Sequence, residues 1–330
     1  MDYSRISFDC SGAPEAVLQC SQASVPQPDE GEVLVRMFTA PINPADINFV
    51  QGVYGIKPQF PNSTAGLEGY GEIIESRCSS FCSGDRVILL SGVGTWGEYL
   101  CAPASSLLKI DQVLDPLQGA MLKVNPLTAY LALTQFVELK AGDWVVQNAA
   151  NSGVGRCVIQ LCRAMGLRSI NVVRRADELR DDLCALGADF VISEDDPDFV
   201  AQVLKVTDGV RPKLASNCVG GDSALRLMDL LAPSGTIVTF GAMSKKSIKV
   251  PNSWLIFKDI SLRGLWCTKW LKQASAKQIH DAYGYLAHLM AEGKLSQAVE
   301  RCYSLSEITE AVTHAQQEHR SGKILLKMNN

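Results

Sequence analysis

Residues 145–156 read Val-Val-Gln-Asn-Ala-Ala-Asn-Ser-Gly-Val-Gly-Arg. An apolar run ends, small residues follow at Ala149 and Ala150, and glycines stand at Gly153 and Gly155. From Val154 the apolar positions Val158, Ile159, Leu161, Cys162 and Met165 mark one face of a helix. Small side chains let a backbone approach a pyrophosphate, and a helix starting there aims unpaired N–H groups and a positive dipole end at the anion. The full G-x-G-x-x-G spacing is missing, so the weight of the motif lies in its setting between a strand and a helix. The alternative for these residues is a tight structural turn. Twenty-one residues beyond Gly153, at the end of the next apolar run, stand Arg174 and Arg175. An NAD-selective fold of this kind puts an acid there, against the ribose 2′-hydroxyl. Two guanidinium groups suit a 2′-phosphate instead, through bidentate, charge-assisted bonds. That points to NADPH; the alternative is two solvated surface arginines.

Metal chemistry has little to build on. All four histidines, His280, His288, His314 and His319, come late in the chain, and they are expected on helix surfaces. Eleven cysteines give one close pair, Cys78 and Cys82, spaced C-x3-C with no second pair to complete a site. Cys157, Cys162, Cys184 and Cys218 lie in apolar surroundings and are expected to be buried, reduced thiols. No metal site is expected.

The elements that must position these residues fall into two styles. The first 120 or so residues are turn-rich β structure, with short strands at 33–37, 71–74 and 85–89 between frequent Gly and Pro. Near Asp115-Pro116 the pattern changes to alternating strands and helices. Strands are predicted at 143–147, 169–173, 189–192, 213–218, 236–240 and 260–265, with helices from 154, over 177–186 and elsewhere between them. Repeated β-α-β units demand a parallel sheet covered on both faces. A helix over about 275–292, a strand near Cys302, a helix over 306–319 and a strand at 323–327 close the chain.

Composition excludes several classes. The chain has 330 residues, 47% hydrophobic and 20% charged, with net charge −4. It is long enough for two cores, and its charge argues against nucleic acid or an anionic membrane as partner. No apolar run is long enough for a membrane span. The start, Met1-Asp2-Tyr3-Ser4-Arg5, has neither a secretory signal pattern nor an Arg-rich transit pattern. A cytoplasmic location is expected, with a mature organellar form as the alternative.

Several stretches together resemble the zinc-independent medium-chain dehydrogenase/reductases, and within them the mitochondrial-type 2-enoyl thioester reductases. They are residues 40–48 (APINPADIN), 51–55 (QGVYG), 94–96 (GTW), 124–130 (VNPLTAY), the phosphate turn, 217–221 (NCVGG) and 255–266 (LIFKDISLRGLW). Where a zinc-bearing relative would show Gly-His-Glu, the chain reads Leu67-Glu68-Gly69, and Glu68 is expected to be a structural carboxylate.

The resemblance implies an α/β fold: a GroES-like β-rich catalytic domain over 1–123 and 268–330, and a Rossmann doubly wound parallel-sheet domain over 124–267 that binds NADPH. A homodimer is implied. Tyr54 matches the proposed catalytic acid. Asn125 matches a contact near the nicotinamide. Ser152, Gly153, Val154, Gly155 and Arg156 match the pyrophosphate loop, and Arg174 and Arg175 the 2′-phosphate site. Phe240, Gly241, Ala242 and Met243 match a cofactor loop after the fifth strand. Leu265, Trp266 and Cys267 match the segment over the nicotinamide, and Lys323 a late cofactor contact. Two positions depart from the family: Lys123 stands where a small residue is usual, and Ala176 where another basic residue is expected.

The implied reaction is hydride transfer from NADPH to the β-carbon of a 2-enoyl thioester, carried on coenzyme A or acyl carrier protein. The enolate must meet hydrogen-bond donors in a dry site. The α-carbon is then protonated, with Tyr54 as donor, directly or through water. An ordinary phenol pKa near ~10 keeps it protonated at neutral pH. The alternative for Tyr54 is packing and hydrogen bonding to substrate. Trp266 walls the acyl channel or packs in the core. Trp254, Phe257 and Trp270 are expected in the core or an acyl groove. Lys245, Lys246 and Lys249 meet the carrier or form a solvated loop. Two other functions fit the same motifs, an NADPH:quinone oxidoreductase and a non-catalytic NADPH-binding regulator.

Overall fold

In a computed structural model, residues 2–318 and 320–328 are described. The chain divides into two compact units, Met1–Val124 with Ala274–Asn330, and Asn125–Gln273.

The first unit is mainly β structure. Its larger sheet runs, edge to edge, through Val299–Tyr303, Lys323–Lys327, Glu32–Pro41, Tyr70–Ser76, Arg86–Leu89 and Leu107–Lys109, with Tyr99–Pro103 also paired to Glu32–Pro41. All these pairings are antiparallel except Val299–Tyr303 with Lys323–Lys327. In Glu32–Pro41 the alternate residues Val33, Val35 and Met37 enter the core. There they meet Ile6, Phe49, Ile73, Trp96, Ile324 and Leu326, all essentially without solvent contact. Each such side chain stabilises the unit by about 1.5–3 kcal/mol before entropy is counted. A smaller sheet joins Asp2–Phe8 to Gln19–Ser24 and Ser63–Thr64.

The second unit begins with helix α1 (Asn125–Thr134). Its sheet contains β1 (Trp144–Gln147), β2 (Arg168–Val173), β3 (Phe190–Ser193), β4 (Leu214–Asn217), β5 (Thr236–Thr239) and β6 (Ser261–Gly264). The order is β3-β2-β1-β4-β5-β6, and every pairing is parallel. Helix α2 (Gly153–Ala164) follows β1, α3 (Ala176–Leu186) follows β2, α4 (Phe199–Val206) follows β3 and α5 (Gly221–Leu230) follows β4. Since helices cover both faces, all four residues of β1 are buried, the polar Gln147 included.

Some expectations need correcting. Cys184 is exposed: α3 turns Leu183 inward, and the next residue falls on the solvent side. Cys218 is half-buried, while Cys157 and Cys162 are buried as expected. Phe257 is not a core residue, since 85% of its surface is exposed. Trp254 packs against the core of the second unit, and Trp270 is half-buried. His280 and His288 are exposed on their helix. His314 is not a plain surface residue: it is half-buried, with Nδ1 hydrogen-bonded to the Tyr303 hydroxyl at 2.9 Å and Nε2 to Glu300 at 2.9 Å. His319 lies outside the described residues.

Candidate active site

The strand order reverses direction between β1 and β4, and in such sheets ligands bind beyond the carboxyl ends of the strands at that point. The turn between β1 and α2 lies there. Ala149 takes a positive φ of 48° as the chain leaves β1. Ser152 caps α2, its hydroxyl accepting the Gly155 N–H at 3.1 Å. Gly153 and Val154 follow, first-turn residues whose N–H groups no carbonyl of the helix reaches. Gly155 is required by packing: a Cβ there would stand 2.6 Å from the carbonyl oxygens of both Ala149 and Ala150. Arg156 is half-buried and turned along α2 towards α3, 3.7 Å from the Asp182 carboxylate.

Buried amides hold this turn, and sequence reasoning gave them no role. Gln147 donates from Nε2 to the Gly155 carbonyl at 2.9 Å and to Asn171 Oδ1 at 2.8 Å. Asn148 donates to Asn217 Oδ1 at 2.8 Å and to the Ser223 hydroxyl at 2.9 Å, and accepts the Cys218 N–H at 2.8 Å. Asn217 accepts the Gly220 N–H at 3.1 Å and donates to the Thr239 hydroxyl at 3.0 Å. The ends of β1, β4 and β5 are thus tied by side chains that would each cost about 1–3 kcal/mol if left unpaired. The signal was present as amides at or just past the ends of two of these strands, Gln147 and Asn148 after Val146 and Asn217 after Ser216.

At the end of β2, Arg174 is exposed and Arg175 half-buried. With Ala176, Asp177, Glu178, Arg180 and residues of β3 they line a surface cavity of about 410 Å³. Beyond β5, Phe240 donates its N–H to the Asn217 carbonyl at 3.1 Å, and Met243 donates to the Cys218 carbonyl at 3.0 Å. Gly241 passes so close that a Cβ would lie 2.8 Å from Cys218 Sγ. Ala242 and Met243 are exposed. Past β6, Leu265 donates to the Thr239 carbonyl at 2.9 Å, Trp266 is exposed and Cys267 half-buried. Asn125, the buried first residue of α1, belongs to the same unit. The second unit therefore holds every expected cofactor residue except Lys323. Its strand ends form a cradle that fits a dinucleotide: close backbone at Gly155 and Gly241, a helix start, and arginines after β2.

Tyr54 and Lys323 belong to the first unit. Tyr54 follows helix Pro44–Val50, where the Asn48 carbonyl accepts the N–H groups of Val53 at 2.9 Å and Tyr54 at 3.1 Å. Gly52, at a φ of 72°, allows this tight reversal. The half-buried Tyr54 ring packs at the margin of the core. Lys323 donates to Asn43 Oδ1 within a buried polar cluster. Asn43 Nδ2 donates to Glu68 Oε1 at 2.6 Å, and Lys123 Nζ donates to the Leu67 carbonyl. Asp46 accepts the N–H groups of Asn43 and Leu67, each at 2.8 Å. Burial raises the Asp46 carboxyl to about 7 against these two bonds. Burial also raises Glu68, opposed by the charges of Lys323 and Lys123 and by its hydrogen bonds. Glu68 is a structural carboxylate, with no solvent contact. Among the described residues, no three His, Cys, Asp or Glu side chains come together as a metal site.

Comparison with known proteins gives this arrangement a lineage. Residues 29–112 match the alcohol dehydrogenase GroES-like domain family, and residues 153–283 match the zinc-binding dehydrogenase family. A mitochondrial enoyl-[acyl-carrier-protein] reductase of Caenorhabditis elegans is 44% identical over 291 residues, which covers 86% of this chain and 83% of the relative. The solved complex of Etr1p with NADP and crotonyl-CoA is 31% identical, with a TM-score of 0.88 over 99% of this chain and 100% of the other. A putative NADPH:quinone reductase from Bacillus thuringiensis has a TM-score of 0.90 at 27% identity, over 99% of each chain.

Proposed function

Because the chain belongs to the enoyl-[acyl-carrier-protein] reductase family, we propose that it reduces trans-2-enoyl thioesters to acyl thioesters with NADPH. The observation that carries this reading is the cradle at the strand ends of the second unit, with a glycine-lined helix start after β1 and a cavity edged by Arg174 and Arg175 after β2. Ser152 to Arg156 would hold the pyrophosphate, and the two arginines the 2′-phosphate. Residues 240–243 and 265–267, with Asn125 and Lys323, would line the rest of the cofactor. NADPH, when bound, supplies a hydride to the β-carbon of the conjugated thioester. The chain's part is then to bind and orient the acyl group, exclude water and deliver one proton. Tyr54 is the proton donor to the α-carbon, through its hydroxyl. The substrate is an enoyl chain on coenzyme A or on acyl carrier protein, and the activity serves fatty acid synthesis.

A quinone reductase is the second reading, favoured by the Bacillus thuringiensis neighbour. Following NADPH oxidation with crotonyl-CoA and with a naphthoquinone separates the two. The proposed function requires turnover of the thioester; consumption with the quinone alone would support the second reading.

We also propose a homodimer. Strand β6 pairs on one side with β5 and ends the sheet, and all four of its residues are exposed. Leu255, Ile256, Phe257, Leu262 and Trp266 are exposed around it. An open strand edge with exposed apolar residues around it invites pairing with another chain. Light scattering at dimer mass supports this; a monomer at all concentrations counts against it. Among the described residues, no helix is long and apolar enough to cross a membrane. The relatives' mitochondrial names favour the organellar alternative for location.

A further inference from the structure

We propose that Glu178 sets how strongly this chain prefers NADPH over NADH, by competing with the cofactor's 2′-phosphate for Arg175. The inference rests on the reading of the cavity after β2 as the 2′-phosphate site.

The cavity is edged by three arginines, Arg174, Arg175 and Arg180, and by three acids, Asp177, Glu178 and Asp196. Its formal charge is therefore balanced, which is not what a site selecting a dianion needs. The arginines are not equally open. Arg180 donates to the Val191 carbonyl of β3 at 2.8 Å and stands 3.9 Å from Asp177. Arg175 donates from Nη1 to Glu178 Oε2 at 2.7 Å, one turn along α3. Arg174 makes no ion pair among the described residues, so it is the one cation of the three that meets an incoming phosphate unengaged.

A 2′-phosphate entering beside Arg175 must take the guanidinium from Glu178 and then sit near a displaced carboxylate of like charge. NADH carries a 2′-hydroxyl there and meets neither cost. Glu178 therefore weakens NADPH selectively and narrows the preference set by the arginines. The pair is partly exposed, with 37% and 63% of the two side chains accessible. Water and salt damp it, so the effect is modest and shrinks as ionic strength rises.

The test is direct binding of NADPH and of NADH to the intact chain, by titration of nicotinamide fluorescence, with no substrate present. For Glu178→Gln, NADPH should bind about threefold to fivefold tighter, with NADH changed by less than about twofold. The gain should vanish when Arg175→Gln is added. A melting curve like that of the unmodified chain checks that the exposed substitution left the fold intact. An unchanged NADPH-to-NADH ratio in Glu178→Gln, or a gain that survives loss of Arg175, overturns the inference alone. Failure of the unmodified chain to bind NADPH overturns the function proposed above and this inference with it.

Discussion

The N–H of Val124 donates to Glu68 Oε2 at 2.9 Å, so a carboxylate without solvent contact anchors the last residue before helix α1. The other carboxylate oxygen takes Asn43, and Asn43 takes the ammonium of Lys323. The Tyr283 hydroxyl donates to the Lys123 carbonyl at 3.2 Å in the same corner. Lys123 has a place in this corner: its ammonium caps the Leu67 carbonyl and lends charge to Glu68. Removing Glu68 leaves buried donors and cations uncompensated. Glu68→Ala should lower unfolding stability by about 3–5 kcal/mol, the range for breaking a buried charged network. Urea unfolding measures it; a loss within the noise would mean that the cluster relaxes without cost.

The same corner predicts a pH dependence. The Asp46 carboxyl is raised from 3.8 to about 7 in the fold, chiefly by burial. The folded state then holds a proton that the unfolded chain releases, so the stability linked to Asp46 is complete below pH ~4 and is lost as pH rises through about 7. The linked loss amounts to about 4 kcal/mol at most. Glu68, also raised by burial, acts in the same direction. Asp46→Asn should flatten the part of the pH-stability profile between ~4 and ~7. An identical profile in the variant contradicts the assignment to Asp46.

At the phosphate turn, Gly155→Ala places a methyl group 2.6 Å from two carbonyl oxygens. The backbone must shift, at a cost of about 1–3 kcal/mol, and the cradle opens. Both NADPH and NADH should bind more weakly, since the pyrophosphate is common to them. A loss confined to NADPH would be inconsistent with a pyrophosphate role.

For Tyr54→Phe, turnover should fall about a hundredfold or more if the phenol is the general acid, while NADPH affinity stays within about threefold. Steady-state kinetics beside a binding titration separates these. Unchanged turnover removes Tyr54 from the mechanism and leaves the packing alternative.

The fold was legible where periodicity was strong. The strands after Asp143 and helix α2 follow apolar runs and a single helical face, and both were readable from residue order. Family resemblance supplied Tyr54, which composition and spacing alone do not distinguish from any other tyrosine. The corner of Asn43, Asp46, Glu68, Lys123 and Lys323 was not readable as a unit. Its members are up to 280 residues apart, as Asn43 and Lys323 show, and only sheet pairing brings them together. Arg175 was legible as a cation after β2, whereas its engagement by Glu178 depends on where α3 begins. Cys184 was misplaced, and the core option for Phe257 failed, because local hydrophobicity does not say which side of a turn or helix faces water.

Isotope placement in the product tests the central claim most directly. Crotonyl-CoA would be turned over with NADPH deuterated at the transferring position of C4, and separately with unlabelled NADPH in heavy water, and the butyryl-CoA examined by mass spectrometry. The account predicts one deuterium at the β-carbon from the cofactor and one at the α-carbon from solvent. Cofactor oxidation without butyryl-CoA, or cofactor deuterium at the α-carbon, would contradict it.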